Sequence, residues 1–226
     1  MSHLHLPDGV VPWWLWAPAL GVVMALLALA GRTRSAQRVA YQGALGGLML
    51  AAMSIPFGPM EYHLTLLGPV GVLLGVAGAL PVIFVVSATL ALIGHGGLTV
   101  VGLNTLVMAT VAVIARAGYG VLARRLSPAW SLALASGLGH LIAGALWLTV
   151  IVVTLRSGAD PTATLVHGRA RTELLAALTL TLWIAGTLVE SVVAFGIGRF
   201  LSRVHPALLP IPGRRGATLE PHPEPA

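Results

Sequence analysis

The 226-residue chain has no cysteine and no lysine, and only seven of its residues are acidic. The lack of cysteine excludes disulfides and thiolate metal sites, leaving nitrogen and oxygen donors from His, Asp, Glu, the backbone and the chain terminus for any bound metal. The lack of lysine excludes a phosphate-binding Gly-x-x-x-x-Gly-Lys loop, so ATP hydrolysis must reside in another chain. Charge is scarce as well: 9% of residues are charged, against roughly 25% in a soluble domain. What is abundant is apolar, with 57% hydrophobic residues and a mean hydropathy of +0.90. This is the composition of an integral membrane protein. All thirteen basic residues are Arg and the net charge is +6, which in such a chain reports membrane topology and not nucleic-acid binding.

The pattern predicts an all-α, polytopic helical bundle with about seven transmembrane helices. The first span, about 12–30, opens on Trp13, Trp14 and Trp16, an interfacial aromatic belt. Ala17, Gly21 and Ala25 form a flat face along it, suited to close helix contact with a partner. Ala28-Leu29-Ala30 has the small-x-small look of a signal-peptide cleavage site. Residues 1–12 carry no Lys or Arg, however, whereas Arg32, Arg34 and Arg38 follow the stretch, which fits an uncleaved span with its N-terminus outside. The second span, about 36–54, ends before Pro56 and Pro59, which lack amide donors. The apolar run 64–94 is too long for one helix at roughly twenty residues per crossing. Gly75, Gly78 and Pro81 interrupt it, so two short helices are expected, about 64–78 and 80–94, tilted or partly re-entrant.

Further spans are expected at about 99–123, 128–155 and 172–200, the second of these started by Ser127 as N-cap and Pro128 at the first helical position. Residues 1–203 form a single transmembrane domain, and 204–226 a disordered cytoplasmic tail rich in Pro and Arg. With the N-terminus outside and the C-terminus cytoplasmic, nine Arg fall inside and three (Arg156, Arg169, Arg171) outside, as the retention of positive charge requires. The same arrangement brings the N-terminal segment, His63, His95 and His167 to the external face. Arg116 and Glu190 lie within spans at similar depth and are expected to pair, to face a partner, or, for Arg116, to snorkel inward.

The segment 1–9 places His3 and His5 beside a chain terminus. An amine, a deprotonated amide and an imidazole form fused chelate rings that suit Ni(II), Cu(II) or Co(II) better than tetrahedral Zn(II). A short solvated tail explains the same two residues equally well. His140 and Ser136 stand four apart on one helix, as in a hydrolase dyad. No nucleophile turn accompanies them, and Ser136, Gly137 and Gly144 read as helix-packing residues. His167 reads as a loop residue, and His205 and His222 as tail residues. For His95, flanked by glycines, a functional role and a simple turn both stand.

His5-Leu6-Pro7-Asp8-Gly9 resembles the His-Ile-Pro-Asp-Gly opening of the CbiM/NikM-type cobalt/nickel substrate-specificity (S) components of energy-coupling-factor ABC transporters. Gly94-His95-Gly96-Gly97-Leu98-Thr99, followed by Gly102-Leu103-Asn104, is similar to that family's glycine-rich stretch and Gly-x-Asn, and the resemblance extends over residues 3–205. It implies a substrate-capture subunit and not an enzyme. In such proteins the N-terminus folds back into the bundle from outside, and its amine, amide and imidazole join a His that follows the second span in binding the metal. Carried over by motif, these are His5 and His63, with Asn104 in support.

The family's N-terminal His commonly stands second, whereas four residues precede His5. Loss of Met1 ahead of the small Ser2 gives a Ser2-His3 start, and retention of Met1 gives Met1-Ser2-His3, so His3 restores the pattern either way. The candidate ligand set is therefore Met1, Ser2, His3, His5, His63 and His95, supported by Asn104. His95 stands where the family pattern expects Asp, and Val107 where a second Asn often follows. No intrinsic cofactor is implied, since the nickel or cobalt ion is the substrate. Implied partners are a transmembrane coupling (T) subunit, ATP-binding cassette ATPases, a small accessory membrane subunit and the lipid bilayer of a prokaryotic cytoplasmic membrane, but no nucleic acid. The alternative is a subunit of the same architecture with a different, organic substrate or a structural role.

Overall fold

The computed structural model of the chain describes residues 6, 8–30, 36–56, 62–157 and 169–210. Six α-helices are present among them: α1 (Trp13–Ala30), α2 (Ala36–Ser54), α3 (Leu67–Leu92), α4 (Val101–Leu122), α5 (Pro128–Arg156) and α6 (Arg169–Val204). Five are long and apolar enough to cross a membrane, and the exception is α2, whose first two turns carry Gln37, Arg38 and Gln42. Large apolar side chains point outward along one stripe of each outer helix, including Leu134, Leu138 and Leu141 on α5 and Ile184, Leu188 and Val192 on α6. This is the inverse of a soluble protein, and it matches a hydrocarbon solvent in which backbone polarity must be satisfied within each helix.

α3 is the centre of the bundle and packs against α2, α4 and α5. Its first turns are buried on all sides, from Leu67 through Val72, because neighbours surround them. α3 does not run straight. Gly75 has φ 68° and ψ 171°, a combination essentially confined to glycine. A straight helix of 26 residues would separate its ends by about 39 Å at 1.5 Å per residue. The rings of His63 and His95, just outside those two ends, are nevertheless 5.5 Å apart. The chain therefore doubles back at Gly75, with residues 62–74 running one way and 76–92 the other. Leu66, Leu67 and Val70 of the first limb accordingly share one apolar cluster with Ile83, Val86 and Leu90 of the second, together with Met49, Met53, Met108 and Val111. The two segments expected from sequence are thus the limbs of one interrupted helix. The break falls at Gly75, several residues earlier than expected, and α3 reaches membrane-spanning length only as the sum of its limbs.

Close approach between helices rests on small residues. A Cβ at Gly71 would lie 2.4 Å from the Ala112 backbone of α4, one at Gly139 2.8 Å from the Val111 carbonyl, and one at Gly144 inside the ring of Trp183. The expected packing role of Gly137 and Gly144 is thus fulfilled. One boundary matches expectation and one differs. Ser127 is the N-cap of α5 and Pro128 its first residue, although the Ser127 side chain makes no capping bond; its carbonyl accepts from Ser131 N at 2.9 Å and from Ser131 Oγ at 2.9 Å. At the other end, α6 continues to Val204 and is followed by a 3-10 turn, Pro206–Leu208. That turn packs on α6 and buries Leu209, so the ordered chain extends past residue 203. The rest of the expected tail, 211–226, lies outside the described residues.

Candidate metal centre

The site begins where the N-terminal segment meets the loop between α3 and α4. Leu6 is 1% exposed and sits in an apolar cluster with Val11, Ala19, Val100, Leu103 and Val150, flanked by Trp16 and Trp147. Burying Leu6 removes its peptide groups from water, and each finds a partner, as buried backbone must. Its N–H donates to Asn104 Oδ1 at 2.7 Å. Its carbonyl accepts from Asn104 Nδ2 at 3.1 Å and from Gly97 N at 3.0 Å. One carboxamide on the first turn of α4 thus holds both main-chain polar groups of a residue almost a hundred positions away.

Two residues on, the Asp8 carboxylate accepts from Leu98 N at 2.9 Å, from Thr99 N at 2.8 Å and from the Thr99 hydroxyl. These amides belong to the turn that leads into α4, so Asp8 pins that turn and lies toward the positive helix end. The Thr99 hydroxyl bond, partly opposed by desolvation and reinforced by the main-chain donors, holds the Asp8 carboxyl below its ordinary value. Glycine makes the approach possible: a Cβ at Gly97 would lie 2.4 Å from both Asp8 N and Asp8 Oδ1. Gly94 and Gly96 adopt φ 86° and 109°, so the stretch is both a turn and the receptacle of the N-terminal segment.

Beside this receptacle the hairpin of α3 brings His63 and His95 together edge to face, with ring centres 5.5 Å apart and planes at 78°. With about 2 Å from metal to each nitrogen, two imidazoles sharing one ion span up to roughly 6 Å between centres, so the spacing fits a shared ion. Among the described residues no group of three or more His, Asp or Glu is disposed to hold a metal, so further ligands would have to come from elsewhere in the chain. Met1, Ser2, His3 and His5 lie outside the described residues. Of the predicted set the structure brings His63 and His95 together and places Asn104 on the first turn of α4, where it holds the main chain of Leu6.

A second polar group lies beneath His63. Glu190 on α6 is 1% exposed, and its Oε1 accepts from the Thr65 amide and from the Tyr62 hydroxyl at 3.3 Å. His140 Nε2 lies 3.9 Å from the same oxygen and 3.1 Å from Thr65 Oγ1. His140 Nδ1 is 2.9 Å from the Ser136 carbonyl, so the imidazole engages the backbone of Ser136 and not its hydroxyl, which rules out the hydrolase dyad. The expected Arg116–Glu190 pairing is likewise not found. Glu190 faces inward with Thr187 and Ala194, toward the 62–65 segment. Sequence inspection missed this group, as it missed the grip of Thr99 on Asp8. The face Ala17, Gly21, Ala25 on α1 carries no buried residue, and nothing approaches Gly21 within 4 Å of where a Cβ would stand.

A polytopic helical membrane protein that docks its N-terminal segment on the loop carrying one of two converging imidazoles has the form of an ion-capturing transport component. The chain belongs to the family described as cobalt uptake substrate-specific transmembrane region (CbiM), whose family model matches residues 5–208. Two solved structures share the fold. One, described as a transition metal transporter, has a TM-score of 0.70 and 17% identity, covering 88% of this chain and 93% of its own. The other, a truncated transition metal transporter, has a TM-score of 0.69 and 18% identity, covering 89% and 99% respectively. No curated protein matches the chain significantly. The protein is a multi-pass membrane component of metal uptake, a transport protein rather than an enzyme, and its metal ion is a substrate and not a resident cofactor.

Proposed function

We propose that this chain is the substrate-capture subunit of an energy-coupling-factor transporter, taking Ni(II) or Co(II) from the external side for ATP-driven uptake. The observation that carries the reading is the convergence of His63 and His95 beside the docked Leu6. His5 adjoins Leu6, with about 3.8 Å between Cα atoms across a trans peptide. In this reading His3 or His5 supplies an imidazole and main-chain nitrogen, His63 a second imidazole, and His95 lies within reach of the same ion. Nitrogen ligation of this kind suits both metals. The membrane passes in this reading are α1, α2, α4, α5 and α6, with α3 entering, turning at Gly75 and returning to the same face. Their odd number puts the ends of the chain on opposite sides, with the N-terminus outside in accord with the Arg distribution. A coupling subunit and ATPases drive release, and the uncovered small-residue face of α1 is available to the coupling subunit.

Calorimetric titration of the purified protein with Ni(II) and Co(II) tests this. Tight binding of at least one ion is expected, weakened by about 10-fold or more in His63→Ala and abolished by replacing whichever of His3 and His5 is the ligand. Absence of tight binding, or binding indifferent to all three substitutions, would return the chain to an organic substrate or a structural role.

A further inference from the structure

We propose that Glu190 is a positioning residue for His63: its buried carboxyl brackets the segment that carries the imidazole, binding one residue before it and one residue shortly after. The inference rests on the metal-site reading above.

His63 belongs to the non-helical stretch, 62–65, that precedes α3. Side chains from other helices hold residues on both sides of it. Glu190 does this from α6, accepting from the Tyr62 hydroxyl and from the Thr65 amide. The Tyr62 hydroxyl also lies 3.1 Å from the Gly186 carbonyl, one helical turn below, and a Cβ at Gly186 would stand 2.5 Å from the Tyr62 ring. Thr65 is held a second time, by His140 of α5 at 3.1 Å. The stretch then enters α3 through Leu66, a non-glycine residue at φ 56°, ψ 14°. A left-handed non-glycine residue persists only where its surroundings impose it, and the bonds at Thr65, its immediate neighbour, are positioned to do so. A buried carboxyl is itself costly without donors, and Glu190 is matched to two donors that flank one imidazole. Glu190 thus acts on the chain to either side of the imidazole and not on the ring itself.

Titrating Ni(II) alone into the purified chain, across a cycle of Glu190→Leu, His63→Ala and the double variant, tests the assignment. Glu190→Leu is expected to weaken Ni(II) by about 10–100-fold, as loss of an outer-shell partner does, and to add nothing in the His63→Ala background. Glu190→Gln, which keeps an oxygen facing the Thr65 amide, restores most of the affinity. With Cu(II) as spectroscopic probe, Glu190→Leu shows one coupled imidazole nitrogen fewer than the parent, a readout that general loosening of the bundle would not select. Should Glu190→Leu fail to accumulate, Tyr62→Phe carries the same cycle with a loss of about 2–10-fold. Wild-type affinity in these variants, or a loss that is fully additive with His63→Ala, overturns the positioning role while leaving the metal site intact. If His63→Ala itself has no effect, the metal-site reading falls and this inference falls with it.

Discussion

Two polar anchors hold the two halves of the candidate centre, and they are built differently. The N-terminal half is held by Asn104 and by the Asp8 contact with Thr99, in which both Asp8 and Thr99 are exposed to solvent. The His63 half is held by Glu190, at 1% exposure, in the middle of the bundle. The outer anchor joins the N-terminal segment to the 97–99 loop and the first turn of α4, outside the contacts by which the helices pack on one another, so releasing it is expected to free a segment and leave the helices packed. The inner anchor ties the entrance of α3 to α5 and α6, so releasing it disturbs the fold. The contrast teaches that one half of the centre is built to be docked and the other to be fixed, as local and global opening free energies differ within one protein.

Gly97→Val should break the outer anchor most completely, because its side chain must occupy space held by Asp8. We expect a penalty of about 3 kcal/mol or more, on the order of 100-fold in docking of residues 6–11. It would be read as loss of hydrogen-exchange protection at the Leu6 amide with an unchanged midpoint of global unfolding. A fall in that midpoint would erase the distinction between the anchors. Asn104→Leu leaves the buried Leu6 N–H without its acceptor, at about 1–3 kcal/mol, and limited proteolysis should cut the N-terminal segment faster by a corresponding factor. Thr99→Val removes one hydroxyl donor from an exposed carboxylate, so its effect on the same cleavage rate should be smaller, about 1 kcal/mol or less.

The smallest effect is that of pH. Asp8 is lowered from an ordinary value of 3.8, so its contribution to docking is fully present above about pH 4 and is lost as pH falls through the lowered value. Protection at Leu6 in the metal-free protein should therefore hold from neutrality to about pH 4 and decline below. Asp8→Asn should flatten that profile, and a decline that begins near pH 6 would assign the dependence to histidine instead.

Much of this was legible in the sequence, for physical reasons that differ from residue to residue. The break in the 64–94 run follows from its length and glycines, and the nearness of His63 and His95 follows from a loop rule: a run that crosses and returns brings its ends to one face. Asn104 came from resemblance, and its two bonds to Leu6 supply the reason. Glu190 was misread because depth along a helix says nothing of rotation about it. Its stripe, Gly186, Thr187, Glu190, Ala194 and Gly198, is small or polar in a helix otherwise lined with large apolar residues, and that pattern marks the inward face. Its partners Tyr62 and Thr65, more than a hundred residues away, carry no local signal. Asp8 was visible only as part of a motif, because a carboxylate supplied by a distant segment leaves no local signal in the turn it binds.

The reversal at Gly75 makes a pair of callipers of α3, with the two imidazoles as its tips. His63 precedes one limb and His95 follows the other, while the limbs themselves close on one apolar cluster. An ion that takes both rings as ligands would add a clasp at the open end of that hairpin, joining the stretch before α3 to the loop that receives the N-terminal segment.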